Sequence, residues 1–310
     1  MKRKEIILFE RYREKLNELY ERSLNYLFNH FGKVMPDSIL LRIRYRIVFH
    51  KPLHLKNPKT FNEKIQWLKL HDRNPEYHEM ADKYAVREYI RKKLGSKYLI
   101  PLLGVWQKAE DIDFDSLPDQ FVLKCTHDSQ SIVICRDKAE LNKKEAVRHL
   151  GDALKIDYSM LGREWAYHGI KPCIVAEELL TDESGDDLKD YKVFCFNGKP
   201  KFIQVDYDRF KGHKRRLYTV DWELMQTKIT YPDDEDLIMP KPFFLDELLE
   251  MSRKLSKDIP FLRVDCYITE KQIYFGELTF YPGCGFEPIT PDTDDTVWGE
   301  WLKLPKGIEK

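Results

Sequence analysis

The residues best suited to chemistry lie in Leu262–Gly283, LRVDCYITEKQIYFGELTFYPG, where Arg263, Asp265 and Tyr267 alternate with Val264, Cys266 and Ile268. A period of two gives a strand with one polar and one apolar face. The segment reads as a hairpin ending in an aromatic-Pro-Gly turn. With a three-residue loop at Glu270–Gln272, Asp265 falls opposite Glu277 and Arg263 opposite Thr279. Two carboxylates converging on one face repel unless a cation lies between them. Their hard oxygens suit Mg²⁺ carried in with a nucleotide. A surface hairpin with solvated charges would have the same spacing.

A second charged segment, VDYDRFKGHKRRLYTVDW, brings Arg209, Lys211, His213, Lys214, Arg215 and Arg216 together. Beside a nucleotide site it would receive an anionic acceptor; elsewhere it would simply be solvated. The triplets Asp206-Tyr-Asp208 and Asp292-Thr-Asp294 are the DxD pattern that holds a metal and a nucleotide diphosphate in glycosyltransferases. The acidic stretch from Glu287 to Glu300 either shapes an acceptor mouth or balances a basic N-terminus. Motifs for a GxxxxGK[ST] phosphate loop, a GxGxxG turn, a GxSxG elbow and HExxH are all missing. The six cysteines have no zinc-ligand spacing and read as reduced, mostly buried thiols.

These residues need strands to hold them. After Pro101, short β-branched and aromatic runs appear at FVLK, SIVIC, IVAEELL, YKVFCF, KFIQVDYD, RRLYTVDW, LRVDCYI and QIYFGELTF. Asn197-Gly198 between two runs is a hairpin turn. Helical stretches at Leu141–Lys155 and Leu245–Ser256 interrupt the strands. The first hundred residues are mostly helical: an amphipathic helix over Phe9–Phe31, a basic stretch Leu40–His50 that fits helix or strand, and helical periodicity over Asn62–Lys93. The fold class is α+β with antiparallel hairpins.

At 310 residues the chain has room for one or two domains and a large core. With 42% hydrophobic and 34% charged residues and a mean hydropathy of −0.56, it is neither disordered nor a multi-span membrane protein. Glu5, Glu10 and Arg11 interrupt any signal-peptide core, so a cytoplasmic protein is expected. A net charge of zero gives no case for nucleic acid. The basic first fifty residues would allow peripheral contact with a membrane or acidic glycan, or serve as a docking helix.

In order, the motifs resemble the ATP-grasp superfamily: RVD, a hairpin and E-x-T-x-x-PG, preceded by DKYAVREYI, FVLK, IVAEELL and DYKVFCFNGKP. PKTFNEKIQWLKLHDRNP, ADKYAVREYI, YLIPLLGVW and GELTFYPGCG resemble the TupA-like ATP-grasp family, associated with teichuronopeptide and surface-polysaccharide biosynthesis, over Pro58–Leu304. The resemblance implies two α+β subdomains sandwiching a nucleotide. The divisions would be a basic helical segment (1–57), a helical region (58–115), a lid-and-hinge subdomain (116–181) and a metal and acceptor subdomain (182–310).

By the same resemblance, Lys83 and Lys124 reach ATP phosphates, as flexible point charges can. Glu177, Glu178 and Leu180 form the adenine hinge, and Lys192 lies near phosphates or adenine. Asp265, Glu277 and Thr279 bind Mg²⁺, with Thr279 where the family usually has Asn. Arg263, with Arg209, stabilises the transferring group. No residue from Cys125 to Cys135 is glycine, and the Ser129 and Ser131 hydroxyls stand in for the usual glycine-rich flap. The implied cofactors are ATP and Mg²⁺. The implied reaction is carboxylate–amine ligation through an acyl phosphate on a uronic-acid-containing anionic glycan or lipid-linked glycan, with the amine unspecified. A glycan kinase, a DxD glycosyltransferase and a scaffold with a decayed site remain as alternatives.

Overall fold

The computed structural model describes residues 35–129, 131–181, 188–209, 212–234 and 237–305. The helix expected over residues 9–31 lies outside them. The basic stretch at 40–50 resolves as helix α1, Asp37–Phe49, closed by His50 in the left-handed conformation. Two of its three arginines serve the fold: Arg42 donates to Leu53 O at 2.8 Å and Arg44 to Leu161 O at 2.8 Å.

Three helices follow: α2 (Phe61–His71), α3 (Glu76–Ala81) and α4 (Val86–Leu94). A capping box starts α2, with the Thr60 hydroxyl accepting from Glu63 N while the Glu63 carboxylate accepts from Thr60 N. Ile65 and Leu68 of α2, with Val86 and Ile90 of α4, belong to the largest core cluster.

Two antiparallel sheets carry the site. The first has the order β1-β4-β2-β3, from β1 (Leu102–Trp106), β2 (Phe121–Cys125), β3 (Ile132–Cys135) and β4 (Ile174–Glu178). The amphipathic α5 (Lys143–Ala153) buries Ala146 and Leu150 against it. The short α6 (Tyr158–Gly162) follows α5. The second sheet has the order β10-β9-β5-β6-β7, from β5 (Asp190–Phe196), β6 (Lys199–Tyr207), β7 (Lys214–Thr219), β9 (Phe261–Ile268) and β10 (Ile273–Thr279). A two-stranded piece joins β8 (Lys228–Ile229) to β11 (Ile289–Thr290). The expected Asn-Gly turn joins β5 to β6, with φ of 48° at Asn197 and 77° at Gly198.

The second sheet is covered by α7 (Leu245–Leu255), which buries Leu248, Met251 and Leu255. The acidic tail is a helix, α8 (Asp292–Trp301), whose Asp292, Asp294 and Asp295 occupy the first turn, where carboxylates favour the helix dipole. It anchors Trp298, 1% exposed, on Phe202 with ring centroids 4.3 Å apart. Asp295 accepts from Asn62 N at 2.9 Å, which ties α8 to α2. The helical part of the acidic stretch, from Asp292 on, is a packing element.

The hairpin β9–β10 differs from expectation in an instructive way. Ile268 pairs with Ile273, so the loop has four residues, and the register then shifts between Phe275 and Glu277 at a bulge on Gly276. The two departures cancel: Asp265 does face Glu277, and Arg263 does face Thr279. The bulge lets Phe275 enter the core while Glu277, two residues on, takes the other face.

Candidate active site

A cavity of about 490 Å³ is lined by residues from both large sheets. On the first-sheet side, Lys124 on β2 puts its ammonium 2.6 Å from Glu177 on β4, and Arg87 on α4 donates to the same carboxylate at 2.8 Å. Glu177 is buried, whereas Glu178 beside it is exposed and Leu180 half-buried. All three line the cavity.

The segment between β2 and β3 is pinned without glycine. Lys83 N donates to Thr126 O at 3.0 Å and its ammonium to Asp128 O. The Ser131 hydroxyl donates to Asp128 Oδ1 at 2.5 Å and accepts from Cys125 N, so it holds the loop in shape. Exposed Ser129 shares a 2.5 Å hydrogen bond with the Tyr158 hydroxyl.

On the second-sheet side, Arg263 grips Asp265 with two parallel bonds, Nε–Oδ1 at 2.7 Å and Nη2–Oδ2 at 2.6 Å. Glu277 sits opposite, 3.8 Å from Arg263 Nη2 and 3.5 Å from the Lys83 ammonium. Burial opposes its ionisation, but the Lys83, Arg263 and Lys192 charges outweigh that and hold its carboxyl at about 2. Burial raises Asp265 to about 6, against Arg263 and Lys192 and with the Glu277 charge adding to it. Of the facing carboxylates, Asp265 is the one that protonates first.

Beyond them, Lys192 donates to Asp206 Oδ2 at 2.6 Å, and Arg215 forks onto the same carboxylate at 2.7 and 3.2 Å. Burial works against ionising Asp206, and these two cations overcome it and hold the acid well below the usual carboxylate range. Arg209 donates to Asp190 Oδ2 at 2.5 Å.

Twelve of the thirteen residues to which the family resemblance gives a role line this one cavity: Lys83, Lys124, Ser129, Ser131, Glu177, Glu178, Leu180, Lys192, Arg209, Arg263, Asp265 and Glu277. Thr279 is not among its lining residues. It is buried, and its hydroxyl accepts from Arg263 Nη2 at 3.2 Å, so it supports the arginine.

The basic cluster divides by strand alternation. Arg215 faces the cavity, whereas Arg216 pairs with Asp233 at 2.7 Å and Lys214 with Asp234 at 2.6 Å; Lys211 is outside the described residues. The DxD triplets are engaged too: Asp206 as above, Asp292 with Lys51 at 2.6 Å, and Asp294 with the Thr227 hydroxyl.

A family model described as TupA-like ATPgrasp matches residues 63–303. The chain belongs to the TupA-like ATP-grasp family. No curated protein matches it. Similar solved structures of this ATP-grasp chain include D-alanine–D-alanine ligase from Bacillus anthracis complexed with ATP, at 16% identity over 65% of this chain and 54% of that one, TM-score 0.37. The Helicobacter pylori D-alanine–D-alanine ligase matches at 15% over 79% and 69%, TM-score 0.42. An ADP complex of N5-carboxyaminoimidazole ribonucleotide synthetase matches at 17% over 70% and 50%, TM-score 0.39. The chain thus spans about half the length of the first of these.

The donor set fits Mg²⁺ in the way that ion is usually held, by one or two carboxylates plus substrate phosphates. Glu277 keeps oxygens that no guanidinium forks, and Asp265 faces it. Among the described residues no group of three or more acidic, histidine or cysteine side chains could hold a metal alone. None of the described helices is long and apolar enough to cross a membrane.

From the sequence alone, Glu287 has no role beyond its membership of the acidic stretch. It lines the cavity, accepts from Arg215 Nη1 at 2.9 Å, and packs over Gly283, where a methyl group would overlap its carboxyl. The signal was a glycine in the Pro-Gly turn with φ of 53°.

Proposed function

We propose that this ATP-grasp protein is a carboxylate–amine ligase that uses ATP and Mg²⁺ to activate a uronic-acid carboxylate of an anionic glycan as an acyl phosphate. The carrying observation is the Arg263–Asp265 fork facing Glu277, with the Lys83 ammonium beside Glu277, in a cavity that Lys124 and Lys192 also line. Lys83 and Lys124 supply point charges for phosphate oxygens, and the β4 strand and Leu180 supply the apolar edge for a base. Asp265 and Glu277 would hold Mg²⁺, which on binding neutralises charge on the phosphates.

In this reaction an acceptor carboxylate oxygen bonds to the γ-phosphorus and ADP leaves. The amine nitrogen then bonds to the carbonyl carbon, the C–O bond to phosphate breaks with its electrons on phosphate, and the amine sheds its protons. Arg263 is placed to offset the oxyanion of that second step. The protein contributes positioning and charge neutralisation. No side-chain nucleophile is called for.

The test is ADP release from Mg-ATP in the presence of an oligoglucuronate and a panel of amino acids and amino sugars. Glu277→Gln should lower kcat by about a hundredfold or more, an effect the size of losing one charge-stabilising group. The variant loses the ion pairs of Glu277 with Lys83 and Arg263, so its turnover is compared with wild type below the variant's own melting temperature. Normal turnover in this variant would remove the metal and phosphate assignment.

A further inference from the structure

The cations along the second-sheet wall are already matched by carboxylates: Arg263 by Asp265, Arg209 by Asp190, Lys192 by Asp206, and Arg215 by Asp206 and Glu287. An anionic group arriving here finds each of these charges engaged. Among the acids that keep an oxygen without a hydrogen-bond partner, Glu287 is the one held by both a buried arginine and a hydroxyl. Its Oε1 accepts from Arg215 Nη1 at 2.9 Å and from the Thr230 hydroxyl at 3.2 Å. Its Oε2 has no hydrogen-bond partner among the described residues, and the side chain is 23% exposed where it lines the cavity.

Its position is built rather than incidental. Arg215, 6% exposed and locked to Asp206 by its other nitrogens, holds one carboxylate oxygen, and Gly283 leaves the space the carboxyl fills. Gly283 lies in the turn of residues 282–285 that follows β10, and Glu287 is near enough to Arg263 for their charges to interact, both lining the cavity.

We infer that Glu287 is the docking point for the ammonium group of the incoming nucleophile, so that the second substrate is a primary amine bound as a cation, which passes one proton to Glu287 Oε2 and on to solvent before its nitrogen attacks, with Arg215 and Gly283 as positioning residues. This rests on the ligase reading and adds which wall receives the amine and through which oxygen. A carboxylate oxygen fixed on one side and open on the other is a strong, directional acceptor for N–H donors. A neutral hydroxyl acceptor would not need the charge.

Two measurements on the full chain test this. In the first, the nucleophile panel includes hydroxylamine, which is uncharged at pH 8, beside charged primary amines, with oligoglucuronate and Mg-ATP. Glu287→Gln should lower the use of charged amines relative to hydroxylamine at least tenfold, expressed in amine KM. Gly283→Ala should do the same by displacing the carboxyl, with Mg-ADP stabilisation as the check that each variant is folded. An equal loss for both nucleophiles would overturn the assignment.

The second measurement needs no turnover. Calorimetric titration of the Mg-ADP complex with glucosamine and with N-acetylglucosamine, which lacks the ammonium, should show a wild-type preference for glucosamine that Glu287→Gln abolishes. No preference in the wild type, or one retained in the variant, overturns the inference. Failure of the ligase reading would instead appear as no ADP or hydroxamate from any nucleophile while the glucosamine preference persists.

Discussion

At the scale of single residues, the second-sheet wall of the cavity is made of paired charges, and a further fully buried charge lies outside it. Lys69 on α2 is 0% exposed. Its ammonium donates to Gln66 Oε1 at 3.0 Å, Gly162 O at 2.8 Å and Cys284 O at 2.5 Å, and it lies 4.7 Å from the centre of the Phe286 ring. These contacts satisfy its three donors and fasten α2 to the turn after β10 that carries Gly283. A cation kept from water still disfavours its charged form, and burial lowers Lys69 to about 8 from the usual 10.5. Between pH 8 and 10.5 the folded chain has released this proton while the unfolded chain still holds it. The unfolded state then binds more protons, so the Lys69 contribution to stability rises with pH across that window. At about 1.4 kcal/mol per pH unit, the gain is on the order of 3 kcal/mol. Urea denaturation of wild type and Lys69→Met at pH 8 and pH 10 should show the wild type gaining relative to the variant. A constant difference would mean the ammonium is not desolvated.

At the scale of elements, the hairpin shows what the sequence could and could not reveal. Alternation in Arg263–Ile268 made the polar face legible, and counting back from the turn put Asp265 against Glu277. The count succeeded because a loop one residue longer than expected was offset by the bulge at Gly276. A lone glycine inside a strand is a signal for such a bulge. Strand β1 and helix α8 were not legible as elements: β1 is a five-residue run holding a glycine, and the Asp-rich start of α8 reads as a charge run until Trp298 is seen in the core. Likewise, Arg215 and Arg216 look alike in sequence, and only their alternate faces on β7 separate a cavity residue from one paired with Asp233. The bulge gives a prediction at this scale. A Cβ on Gly276 would meet Asp265 O at 3.0 Å and Tyr267 Cε2 at 3.3 Å, tighter than ordinary contact. Gly276→Val should therefore push β10 off β9, costing about 1–3 kcal/mol as overpacking does. It should also depress turnover, because Glu277 is the next residue. A variant with wild-type melting and wild-type activity would show that the strand pair yields without moving the carboxylate.

At the scale of the whole molecule, the cavity draws on two sheets, each with its own apolar cluster. Lys83 joins the two sides, reaching Asp128 O in the β2–β3 segment and Glu277 on β10. A nucleotide lying there would add contacts to both sheets at once. Binding to the folded chain alone stabilises it by about 2.7 kcal/mol at a hundred times Kd. For a chain of this size that is a rise in melting temperature of about 5 °C. Mg-ADP should produce this shift, and ADP without Mg²⁺ should produce less, because the facing Asp265 and Glu277 carboxylates repel an unneutralised phosphate. Lys124→Met should lose at least half the shift at the same concentration. Its fold should survive, since Glu177 keeps Arg87 as its partner at 2.8 Å. A UDP-sugar with Mn²⁺ is the discriminating control. The acids of both DxD triplets include side chains already committed to Lys192, Arg215, Lys51 and Thr227, so no comparable shift is expected from it. A shift with the UDP-sugar and none with Mg-ADP would move the chemistry away from the Arg263–Glu277 hairpin altogether.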